Sequence, residues 1–155
     1  MRISVHSSPA LQSWGITVLR VMVGVVFLVH GLQKAWITGI AGVAESMSLI
    51  GIPLPMTAAV VVTAVEALCG LALIAGFFTR WAAIPLAINM LVAAAVVHLP
   101  AGFFLPNGYE YALTLLAACT SLSLLGSGAC ALDNVLGTER DHLKPAVASG
   151  ATRAA

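Results

Sequence analysis

Trp14-Gly-Ile-Thr-Val-Leu-Arg20-Val-Met-Val-Gly24-Val-Val-Phe27-Leu-Val-His30-Gly31-Leu-Gln-Lys34 decides the fold of this chain. The stretch is apolar and long enough to cross a bilayer, which takes about 20 residues of helix. It nevertheless carries Arg20 near one end and His30 and Lys34 near the other. A charge at the centre of a span costs about 2.5–3.5 kcal/mol on insertion scales, so such groups must face other protein or a wet cavity. At 100° per residue, Phe27, Gly31 and Lys34 fall near the Arg20 direction, with His30 and Gly24 flanking it. One face is therefore polar with small residues, and the opposite face, through Val18, Val25 and Leu32, can meet lipid.

Composition extends this reading to the whole molecule. The 155 residues are 60% hydrophobic and 8% charged, and the mean hydropathy is +1.01. Soluble domains carry about 25% charged residues, so the chain is read as an integral membrane protein with the lipid bilayer as its first partner. Seven Lys/Arg are scattered among six Asp/Glu, which leaves no basic field and excludes nucleic acid. The start could pass for a secretory signal, but Arg20 interrupts the apolar run and no A-x-A site follows, so the segment is expected to be retained as the first span. Cys69, Cys119 and Cys130 have neither C-x-x-C spacing nor a histidine at zinc spacing, so they read as small packing residues and no metal site is expected.

Turn signals divide the chain into a polar lead (1–13), a four-span domain (14–137) and a tail (138–155) expected to be flexible. The spans are placed at about 15–34, 56–78, 81–98 and 109–126, giving an all-α, polytopic membrane four-helix bundle. A modest helix near 40–50 is closed by Gly51-Ile52-Pro53-Leu54-Pro55, and Pro85 is placed in the first turn of the third span. Four spans put both termini on one side. That side holds Arg2, Arg80, Arg140, Lys144 and Arg153 against Lys34 on the other, so the termini are expected in the cytoplasm.

Depth then sorts the polar groups. Arg20 should lie about 8 Å and Glu66 about 14 Å from the cytoplasmic boundary, a gap that an arginine can bridge, which makes them a candidate buried ion pair. The alternative has Arg20 snorkelling to the headgroups and Glu66 neutral. His30, Lys34, His98 and Glu110 share the outer third on three helices and form the candidate ligand site. For each histidine singly, a structural role competes. For Glu110, which opens the fourth span with Tyr111, helix capping competes with chemistry. Gly24, Gly31, Gly70 and Gly76 read as places where helix backbones approach closely.

With these residues in order, the chain resembles the DoxX family of small four-span bacterial membrane proteins. The matching pieces are Arg20 with His30-Gly31-Leu-Gln-Lys34, Glu66 through Gly70 to Gly76-Phe-Phe-Thr79-Arg80, and Asn89 through His98. Gly102-Phe103-Phe104, Asn107-Gly108-Tyr109-Glu110-Tyr111 and Gly126-Ser-Gly128 through Leu132-Asp133 complete the set. Cys69 departs from a common glycine and Ala131 from a common serine. The resemblance implies a bundle in the bacterial inner membrane and a link to quinone-coupled sulfur oxidation or to redox-stress complexes, although most members have no assigned reaction. Two readings stand. In the first, the chain is a subunit of a quinone-linked redox complex whose outer site binds a quinone head or a small sulfur anion. Lacking haem, flavin and iron–sulfur motifs, it has no intrinsic cofactor, and its electron carrier is the quinone or a redox-enzyme partner. In the second it is a non-catalytic scaffold or small transporter, alone or as a homo-oligomer, whose buried charges fix helix packing.

Overall fold

A computed structural model describes residues 8–138. Helix α1 (Pro9–Leu32) opens with Ser8 as N-cap, whose hydroxyl accepts from the Leu11 amide, and with Pro9 at a position where no N–H is needed. The helix thus starts ahead of the expected boundary at 15, because this cap satisfies its first turn. It runs on into a π-helical segment, Gln33–Thr38, which ends at Gly39 with φ of 73°. Helix α2 (Gly39–Leu49) follows at the expected place. Helix α3 is Pro55–Ala75 and α4 is Thr79–Val92. The latter continues through a second π-helical segment, Ala93–His98, and a 3-10 turn, Leu99–Ala101. Helix α5 (Glu110–Leu125) and the short α6 (Leu132–Leu136) complete the chain. Pro85 lies well inside α4 rather than in its first turn, since α4 already begins at Thr79. The expected flexible tail lies, apart from Thr138, outside the described residues.

Three helical stretches, Pro9–Leu49, Pro55–Ala75 and Thr79–Ala101, are long and apolar enough to cross a membrane, while Glu110–Leu125 is shorter. The α5 helix is cut to 16 residues because Gly126, at φ of 92°, ends it. Helices α1, α3, α4 and α5 close a ring, each touching the next, and α2 packs on α3. This is an all-α membrane four-helix bundle. Its core holds Phe27, Leu73, Leu86, Cys119 and Leu122, while Val18, Leu68, Trp81, Ile88 and Leu124 are exposed around it. In water that surface would be untenable; in lipid it is the expected one.

Contact between α1 and α3 is backbone on backbone. A Cβ on Gly24 would come 2.8 Å from the Gly70 carbonyl oxygen, and one on Gly31 would come 2.6 Å from the Ala67 nitrogen. With no hydrophobic drive between helices in lipid, such close van der Waals fits carry the association. They also lock the antiparallel register: Gly24 lies beside Gly70, and Gly31 beside Ala67. Glu66 is therefore at the level of Gly31, about 16 Å along α1 from Arg20 at 1.5 Å per residue.

One end of the bundle is strapped by polar groups. Arg20, 1% exposed, donates from Nη1 to the Leu73 and Ile74 carbonyls at 2.6 and 3.1 Å. From Nη2 it reaches the carbonyls of Cys130 and Ala129 at 3.2 and 3.4 Å. The guanidinium thus satisfies carbonyls at the C-terminus of α3 and ties them to the segment before α6. Asp133, fully buried, accepts from the Phe78 and Thr79 amides at 2.7 and 3.0 Å and from the Thr79 hydroxyl at 3.0 Å, a carboxylate set on the positive end of α4. Arg80 gives α5 a similar finish, donating to the carbonyls of Ser123, Leu124 and Leu125.

Candidate functional site

At the opposite end, α1, α2, α3, α4 and α5 surround a cavity of about 590 Å³, within the range of about 300–1,000 Å³ typical of ligand sites. Its wall is mostly aliphatic and includes Phe27, Val43, Met47, Val62, Met90 and Val97. The polar lining is sparse: His30, Lys34, Ser46, Glu66, Asn89, His98 and Tyr111.

Register and helix form both place these groups. Since Glu66 sits at the level of Gly31, the π-helical turn that continues α1 brings Lys34 to it, and Lys34 Nζ donates to Glu66 Oε2 in an ion pair. The Lys34 side chain is 26% exposed and that of Glu66 4%. The second carboxylate oxygen, Oε1, accepts from Asn89 Nδ2 at 2.9 Å. Three helices thus meet on one carboxylate, which is what a charge buried at this depth requires. Lys34 and His98 both stand on π-helical segments. Such segments recur at functional sites, where the extra residue per turn re-aims side chains.

Both histidines are oriented through Nδ1. His30 lies 2.8 Å from the Val26 carbonyl oxygen, and His98 lies 2.9 Å from that of Asn107. A carbonyl can only accept, so each ring carries its proton on Nδ1, and the neutral ring keeps Nε2 as an acceptor. The His30 ring lies near that of Tyr111, with centroids 6.4 Å apart. The Asn107 contact joins His98 to the 99–109 loop. That loop is pinned to the start of α5 by the Tyr109 and Glu110 amides, which donate to Gly102 and Phe103.

Of the four residues expected at the outer site, His30, Lys34 and His98 come together on the cavity. Glu110 does not line it; its carboxylate accepts from the Leu105 amide at 2.8 Å and braces the loop. The acid of the site is Glu66. The expected Arg20–Glu66 pair is not formed, because the α1–α3 register separates them and Arg20 is spent on helix-end carbonyls. Asn89 and Tyr111 were visible in the sequence as polar residues in or near spans. Their part in the cavity depends on which way α4 and α5 face, which spacing alone left open.

The DoxX family profile matches residues 15–99, the segment that carries Arg20, His30, Lys34, Glu66, Asn89 and His98. Over 119 residues the chain is 34% identical to CatD of Bacillus subtilis, a protein provisionally named an oxidoreductase; the alignment covers 77% of this chain and 84% of CatD. Over 124 residues it is 27% identical to the inner membrane protein YphA of Escherichia coli, covering 76% and 87%. An uncharacterized membrane protein of Mycobacterium tuberculosis is 36% identical over 111 residues, covering 69% and 66%. No solved structure matches the chain significantly. More than half of the residues fall under one family profile, and these relatives align along most of the bundle, so the chain belongs to the DoxX family.

Proposed function

We propose that this DoxX protein is a ligand-binding subunit of a quinone-linked redox complex in the bacterial cytoplasmic membrane, with the Lys34–Glu66–Asn89 cavity as its quinone site. The observation that carries the reading is the cavity itself: an aliphatic chamber in a membrane bundle, with a few hydrogen-bonding groups gathered on one ion pair. A lipid-soluble quinone needs an apolar wall for its ring and donors for its carbonyls. Lys34 and Asn89 each keep N–H groups beyond those given to Glu66. The Nε2 atoms of His30 and His98 suit the hydroxyls of the reduced form. When bound, a quinone supplies two-electron, two-proton redox chemistry, and a partner protein would exchange the electrons. The provisional oxidoreductase name of CatD agrees with this reading.

A ligand that binds only the folded form must raise its stability. Short-chain ubiquinone or menadione should therefore raise the melting temperature of the protein in mild detergent. His98→Ala, which removes a lining group without touching the ion pair, should leave the ligand-free melting temperature nearly unchanged and cut that rise by at least half. No rise in the parent protein would favour the scaffold reading, in which the pair only fixes packing.

The orientation belongs to the same proposal. Helix α1 starts and α6 ends at the Arg20 end, where Arg80 also lies. With Arg2, Arg140, Lys144 and Arg153 in the flanking sequence, the positive-inside rule puts this end in the cytoplasm and the cavity in the outer leaflet. In a background with Cys69, Cys119 and Cys130 changed to alanine, Asn107→Cys should react with an impermeant maleimide in intact cells. Thr138→Cys should react only after permeabilisation. The reverse order contradicts the orientation.

A further inference from the structure

We infer that Glu66 sets the ligand specificity of the cavity: by neutralising Lys34 it makes the chamber select an uncharged ligand with a carbonyl acceptor and reject small inorganic anions. The inference rests on the reading of the cavity as a ligand site. Lys34 and Glu66 are the only Lys, Arg, Asp or Glu among its described lining residues, and they are paired with each other. Glu66 is committed on both oxygens, to Lys34 on Oε2 and to Asn89 on Oε1. An entering anion would thus share the Lys34 ammonium with a carboxylate already held on both oxygens, inside a mostly aliphatic wall whose few donors return only a small part of its lost hydration. The histidines do not supply the missing donors, since the Nδ1 atoms of His30 and His98 are each committed to a backbone carbonyl and a ring in its neutral form has a single N–H. A neutral carbonyl loses far less hydration on entry and still finds the spare N–H groups of Lys34 and Asn89.

The test compares two probe classes on the full chain in detergent or nanodiscs, slightly above neutral pH: short-chain ubiquinone, and thiosulfate or sulfite. The wild type should be stabilised by the quinone, with either anion at least about a hundredfold weaker, the penalty expected when like charges meet in a desolvated site. Glu66→Gln frees the ammonium and should raise anion affinity by at least about tenfold. Lys34→Gln/Glu66→Gln removes both charges together and should show no such gain; it serves also if the single variant fails to fold. Anions that bind the wild type as tightly as the quinone, or an equal anion gain in the double variant, overturn the inference while leaving the ligand site standing. No response of the wild type to either probe overturns the ligand site and the inference with it.

Discussion

Arg20→Met should destabilise the bundle by about 3–5 kcal/mol, among the largest losses available from one side chain. Arg20 is almost wholly buried, and its guanidinium serves four backbone carbonyls, those of Leu73, Ile74, Ala129 and Cys130. Methionine fills much of the volume but donates nothing; the Leu73 carbonyl keeps the Gly76 amide and the Ala129 carbonyl the Thr17 hydroxyl, so the loss falls on those of Ile74 and Cys130, at about 1–3 kcal/mol for each buried carbonyl left without a donor. Relaxation would recover part of that, because the C-terminus of α3 can fray once the strap to residues 129–130 is gone. Arg20→Lys should recover less than half, since an ammonium lacks the planar fork that spans two chain segments. Gly76 stands close by: a Cβ there would come 2.5 Å from Arg20 Nη1, so the guanidinium occupies space that only glycine leaves open. Unfolding by denaturant titration in detergent checks the prediction. A loss under about 1 kcal/mol would mean that Arg20 behaves as a surface group and not as the clamp of this end.

How far the sequence could be read depended on which physical quantity each feature required. The all-helical class and its membrane setting followed from apolar runs and composition, because the bilayer demands both. The lipid-facing side of α1 followed from helical periodicity: Thr17, Arg20, Val23, Gly24, Phe27 and Gly31 are its buried residues. Partner choice among the charges did not follow, because it depends on register between helices. Depth counted from expected span ends put Arg20 and Glu66 within reach of each other, whereas the Gly24–Gly70 and Gly31–Ala67 contacts set the actual alignment. Those small residues were the available signal, and aligning α1 on α3 through them would have turned Glu66 toward Lys34. Glu110 was grouped with the cavity for a related reason. Equal depth says nothing of direction, and its carboxylate turns to the Leu105 amide.

Lys34→Met should cost about 3 kcal/mol, more than Glu66→Gln, and the double change should cost less than the sum of the two. The asymmetry comes from burial. Without Lys34, the carboxylate of Glu66 is left in the bundle with the Asn89 amide as its remaining described partner. Without the Glu66 charge, the partly exposed Lys34 ammonium still reaches water from its place on the cavity, so losing its partner costs it less. Removing both charges leaves no orphan, so the double-mutant cycle should show a coupling of at least about 1 kcal/mol. Additive losses would mean that the two groups do not support each other.

The most direct test of the central claim is to purify the protein from native membranes in mild detergent and quantify extracted quinone per chain, beside Ala93→Trp. Ala93 lines the cavity, and an indole there would occupy space the ring needs. Quinone enriched above the lipid background in the wild type, and reduced to background in a folded Ala93→Trp protein, is the predicted result. Quinone at background in both, or equally enriched in both, would contradict the assignment of this cavity as the site.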